Sequence, residues 1–135
     1  METDMIKTMT AAALVLTGAA VLPAYALDDS IIRQLDRLTP EERREQRCDI
    51  EAMSRIAKQG EGYKPDKVIA YTFADTEETE GLLRAPGAVF RSAGDWYRLK
   101  YKCKTAEDGL TIQSFDYKVG SKVPREEWGE YYLYN

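Results

Sequence analysis

Hydrophobic positions recur along the chain with a period that changes twice, and each change marks an element. Residues 11–22, AAALVLTGAAVL, are an apolar stretch of 12. In residues 27–38, Ile31, Ile32, Leu35 and Leu38 fall at helical spacing over a short arm. Thr39-Pro40-Glu41-Glu42 then places an N-cap, a proline at the first helical position and a Glu three residues after the cap, which predicts the start of a helix. Its opening turns, EERREQR, read as charged and solvated. Apolar residues begin at Cys48, and Ile50, Met53 and Ala57 form the expected buried stripe. Glu51 and Arg55 pair on the solvent side, and Gly60 with Gly62 end the helix.

From Lys67 the period becomes two. Residues 68–74 alternate Ile69, Tyr71 and Phe73 against Val68, Ala70 and Thr72, which predicts a strand. An acidic loop, residues 75–80, follows. Ala85-Pro86-Gly87 interrupts the chain before a strand at residues 88–92, so Pro86 is expected at an edge or a bulge. Residues 96–104 are the clearest strand: Tyr97, Leu99, Tyr101 and Cys103 share one face, and Trp96, Arg98, Lys100, Lys102 and Lys104 the other. Glu107-Asp108-Gly109 is a hairpin turn. The returning strand, residues 110–119, changes phase midway, which a bulge near Gln113 reconciles. Pro124 to Trp128 restarts as a short helix. The expected fold is α+β: an N-terminal helix packed on an antiparallel meander of about four strands, with a short C-terminal helix.

The apolar run of residues 11–22 is shorter than the roughly 20 residues that span a bilayer, and Ala24-Tyr25-Ala26 follows Pro23. This predicts a signal peptide over residues 1–26 cleaved after Ala26, an arm over residues 27–38 and one domain over residues 39–135. The rival reading is a retained membrane anchor. Glu2 and Asp4 offset Lys7 in a region that should be positive, so Met5 fits as the start better than Met1. Removing Lys7, Glu2 and Asp4 from 19 Lys+Arg and 23 Asp+Glu leaves 18 against 21, a net charge of −3. That balance excludes a nucleic-acid binder driven by bulk charge. Two cysteines in an exported chain read as one disulfide, Cys48–Cys103, in the periplasm or outside the cell.

With no His in the 135 residues and both cysteines paired, imidazole bases, cysteine nucleophiles and His-containing zinc sites are excluded. Asp49 with Glu51, or Asp75 with Glu78, are the nearest carboxylate pairs for glycoside hydrolysis, but the first two do not face each other on a helix. The acidic run lacks the central glycine of a calcium loop, and no serine sits in a nucleophile motif. No catalytic residue, metal or cofactor is expected. The informative feature is the stripe Arg98, Lys100, Lys102 and Lys104. It reads either as protection of an exposed edge against aggregation or as a basic face for an anionic partner. Trp96 and Arg91 extend that face, and Asp116 is expected opposite Arg98 or Lys100. Trp128, Tyr131 and Tyr132 pack on the core or, if exposed, form a sugar- or protein-binding platform.

Several strings occur in order: Glu45-Gln46-Arg47-Cys48-Asp49-Ile50-Glu51-Ala52-Met53, Lys64-Pro65-Asp66, Ala85-Pro86-Gly87-Ala88-Val89-Phe90-Arg91-Ser92, Trp96-Tyr97-Arg98-Leu99 and Pro124…Trp128…Tyr131. They resemble the uncharacterised bacterial envelope family known as domain of unknown function 930, over residues 38–134. The resemblance implies an envelope setting and no activity. The expected protein is an exported, non-enzymatic binding or structural module that meets an envelope protein or an anionic envelope polymer. The alternatives are an inhibitor of a lytic enzyme and a carboxylate-based cell-wall glycoside hydrolase.

Overall fold

The computed structural model describes residues 27–135, so the leader, its cleavage after Ala26 and the choice of start lie outside the described residues. The arm forms helix α1 (Asp29–Leu35), capped by Asp28, whose carboxylate accepts from the Ile31 N–H at 2.9 Å. Helix α2 (Pro40–Lys58) begins on the expected capping box: the Glu42 N–H donates to Thr39 Oγ1 and the Thr39 N–H to Glu42 Oε2. Its buried stripe differs from expectation. Cys48, Ala52 and Ile56 are the fully buried apolar residues, four apart, whereas Ile50 and Met53 are partly exposed and Ala57 is exposed. The physical reason is covalent, because the Cys48–Cys103 disulfide rotates the Cys48 face of the helix onto the sheet. Ile50 instead lines a cleft with Ile31, Leu35 and Leu38 between the two helices.

The charged opening turns of α2 are not simply solvated. Arg43 donates to the carbonyls of Leu35, Asp36, Leu38 and Asp108, Arg47 to that of Leu110, and Arg44 to Thr105 Oγ1. A guanidinium carries five donors in a fixed fork, so Arg43 and Arg47 can each reach carbonyls at helix ends and loops while Arg44 reaches a hydroxyl.

The sheet has five strands: β1 (Pro65–Ile69), β2 (Glu77–Thr79), β3 (Leu82–Ser92), β4 (Asp95–Thr105) and β5 (Ile112–Lys122). Their order is β1-β3-β4-β5, all antiparallel, with β2 pairing the start of β3. The first strand ends at Ile69 rather than reaching residue 74, and the expected acidic loop contributes the extra strand β2, whose Glu78 is ion-paired to Arg44 of α2. Residues 85–87 do not end a strand but bulge within β3, since the register jumps between Ala85 and Ala88. The second expected bulge is also present: Lys104 faces Ser114 and Thr105 faces Ile112, leaving Gln113 as the extra residue.

Two cores result, one on each face of the sheet. On the inner face, α2 covers Leu83, Ala85, Ala88, Phe90, Leu99, Tyr101, Cys103 and Phe115. On the outer face, the chain after β5 turns back and packs Val123, Trp128 and Leu133 on Val89 and Trp96. Two hydrogen bonds to Trp96 hold it there, the Val123 N–H donating to the Trp96 carbonyl and Trp96 Nε1 to the Tyr134 carbonyl, and within the tail Trp128 Nε1 donates to the Val123 carbonyl. The expected C-terminal helix is only a 3₁₀ turn, Arg125–Glu127. This tail covers one end of the outer face and leaves the other end open.

Candidate functional site on the outer face of the sheet

The open end is built from β-strand alternation and cross-strand register. Every second residue of β4 points outward, so Arg98, Lys100, Lys102 and Lys104 stand in a line at intervals of roughly 7 Å, twice the rise per residue. Register then adds neighbours. Glu77, Arg84, Lys102 and Asp116 form one row across β2, β3, β4 and β5, and Lys100 faces Lys118 in the next. Along these rows lies an open groove of about 570 Å³, whose lining also includes Pro86, Tyr101 and Tyr117. Arg84, Lys100, Lys102, Lys104 and Lys118 are all exposed, and none of them has an ion pair among the described residues.

Of the residues expected at this face, Lys100 and Lys102 line the groove. Arg98 stands at its tail-covered end, with its guanidinium 3.8 Å from the centre of the Phe73 ring. Arg91 lies apart from the groove: its Nε and Nη2 donate to the two carboxylate oxygens of Asp66 of β1, at 2.9 and 3.2 Å, and that bonding raises its pKa. Trp96, expected outward as a stacking platform, points to the outer face but is fully buried under the tail, and Trp128 is the residue that helps bury it. Asp116 stands opposite Lys102 rather than Arg98 or Lys100. Arg84, Lys118 and Glu77 were not singled out from the sequence. Placing the bulge at Gln113 brings Lys118 opposite Lys100, so that one was within reach of register counting; Arg84 depends on β3 continuing across the bulge at residues 85–87, and Glu77 on β2, which has no periodic signal.

A family model matches residues 35–133, from the end of α1 to the C-terminal tail. The chain belongs to the family described as Domain of Unknown Function (DUF930). No curated protein and no solved structure matches it. The match spans the strings around Cys48, Pro86, Trp96 and Trp128 that carried the resemblance.

Elsewhere in this DUF930 domain two facing titratable groups, Asp49 and Tyr101, are strongly perturbed. Asp49 of α2 is buried, and burial pushes its carboxyl up to about 8, with Glu45 on the same helix adding like charge. The Tyr101 hydroxyl of β4 donates to Asp49 Oδ1 at 2.8 Å and partly opposes that shift. Burial and the facing Asp49 in turn raise the Tyr101 phenol above its ordinary value. Asp49 lines neither the groove nor the clefts described for this domain, so its perturbation belongs to the core beside the disulfide. No helix among the described residues is long and apolar enough to cross a membrane.

Proposed function

We propose that this DUF930 domain is an exported, non-enzymatic module of the cell envelope that binds an anionic envelope polymer through the open end of its outer sheet face. The observation that carries the reading is the concentration of Arg84, Lys100, Lys102, Lys104 and Lys118 on one face of a chain whose net charge is −4. Lysines placed against aggregation belong on edge strands. Here the stripe lies on β4, which is flanked by β3 and β5, so edge protection does not account for it. Unpaired cations in a row attract a linear polyanion, and each contact releases condensed counterions.

The purified protein is expected to be retained on an immobilised acidic polysaccharide at low ionic strength and to elute as salt rises. Lys100→Glu with Lys102→Glu, both exposed, should elute at markedly lower salt with an unchanged melting temperature. Equal retention of this variant and the wild type would remove the outer face from the mechanism. Release of soluble fragments from the polymer would overturn the non-enzymatic part of the reading.

A further inference from the structure

Among the described residues, the large exposed aromatic rings are gathered in one place. Tyr71 is 59% exposed, Tyr132 84% and Tyr134 58%, and all three line a single cleft of about 560 Å³ between β1 and the C-terminal tail. Lys67, Ile69, Thr72, Glu130 and Tyr131 complete it. Aromatic side chains this exposed forgo the burial that normally stabilises them. Tyr132 also occupies the left-handed backbone region, at φ 58, which a non-glycine residue adopts at a cost.

The polar groups narrow what the cleft fits. Lys67 Nζ lies 5.4 Å from the centre of the Tyr134 ring and 3.4 Å from its hydroxyl. The Glu130 carboxylate makes no hydrogen bond or ion pair among the described residues. An acyl chain offers nothing to an ammonium and a carboxylate. A sugar ring does, because it presents a C–H face to an aromatic ring and, at its rim, hydroxyls that both donate to a carboxylate and accept from an ammonium or phenol.

The cleft is also continuous with the basic stripe. Tyr131 packs on Phe73 with ring centres 4.4 Å apart, and the Phe73 ring carries the Arg98 guanidinium at the head of the stripe. We propose that the tyrosine cleft is a saccharide subsite, and that the anionic partner is an acidic polysaccharide that seats a sugar ring in the cleft and its acid groups along Arg98, Lys100 and Lys102. This inference rests on the outer face being the anion-binding surface.

The test titrates the oxidised protein with a panel of acidic hexasaccharides (oligogalacturonate, oligomannuronate and oligoguluronate) and, separately, with polyglutamate, a polyanion without sugar rings. Binding is followed by calorimetry and by amide NMR shifts. At least one hexasaccharide should shift the amides of Tyr71, Tyr132 and Tyr134 together with those of the stripe. Tyr71→Ala with Tyr132→Ala should weaken that hexasaccharide by about tenfold or more and leave polyglutamate binding unchanged. Lys100→Glu with Lys102→Glu should weaken both. If polyglutamate binds and no hexasaccharide binds better or reaches the tyrosines, the saccharide subsite is overturned while the anion-binding face stands. If neither class of ligand binds, both readings fall. Because the two tyrosines are exposed, an unchanged melting curve for their variant secures the comparison.

Discussion

Asp49 sits where the needs of a charge and of a packed interior conflict. In the unfolded chain its carboxyl titrates at its ordinary value of 3.8, whereas in the folded protein it holds its proton until about pH 8. Folding therefore takes up a proton between those values, and stability from this group is full below about pH 4 and lost as pH rises toward 8. The loss approaches roughly 1.4 kcal/mol per pH unit inside that window. Asp49→Asn keeps an acceptor for the Tyr101 hydroxyl and cannot ionise. Its unfolding free energy should be close to wild type at or below about pH 4 and exceed it by a growing margin as pH rises toward 8, as chemical denaturation at several pH values will show; parallel curves would refute the assignment. In the sequence Asp49 reads as half of a weak pair with Glu51. Its actual partner, Tyr101, is 52 residues away, and nothing local announces a hydrogen bond across that distance.

At the scale of elements, the most legible signals were those satisfied by near neighbours. The capping box of α2 closes within four residues, the alternation of β4 needs only the strand itself, and the phase change of β5 located its bulge at Gln113. Composition placed Pro86 at an edge or a bulge, and the structure shows the bulge, within β3, together with a reason that composition did not give. A Cβ at Gly87 would come within 2.2 Å of the Ala74 backbone nitrogen, because the 70–76 segment packs directly against it and the Phe73 N–H donates to the Gly87 carbonyl at 2.8 Å. Gly87→Ala should displace that segment and destabilise the fold by about 1–3 kcal/mol, the usual cost of overpacking. An unchanged denaturation midpoint would show that the segment yields freely. Elements that depend on partners were misjudged: β2 has no pattern of its own, and the buried stripe of α2 turned with the disulfide.

Considered as a whole, the molecule is a helix and a sheet joined by one covalent clamp. The disulfide joins fully buried residues 55 apart, so it removes loop-closure entropy worth about 4 kcal/mol from the unfolded chain on the entropic model. Reduction should lower stability by an amount of that order, measured as the shift in denaturant midpoint between oxidised and reduced protein. Coincident midpoints would contradict it. Such a bond persists in an oxidising compartment, which the export proposed for this domain would supply.

The boundary between what could be read along the chain and what could not follows the range of the forces involved. Helix starts, strand periods, turn residues and the pairing of two cysteines depend on neighbours in sequence or on counting, and these readings led to an α+β domain with a lysine stripe. Whether an outward side chain meets water depends instead on which distant segment folds over it. Trp96 and Lys100 share one face of one strand, yet the first is fully buried and the second exposed, because the tail after Val123 packs over one end of the sheet and stops short of the other. Contacts between residues so far apart in sequence are set by packing and register, since a slip of one residue would turn every side chain of a strand to its opposite face.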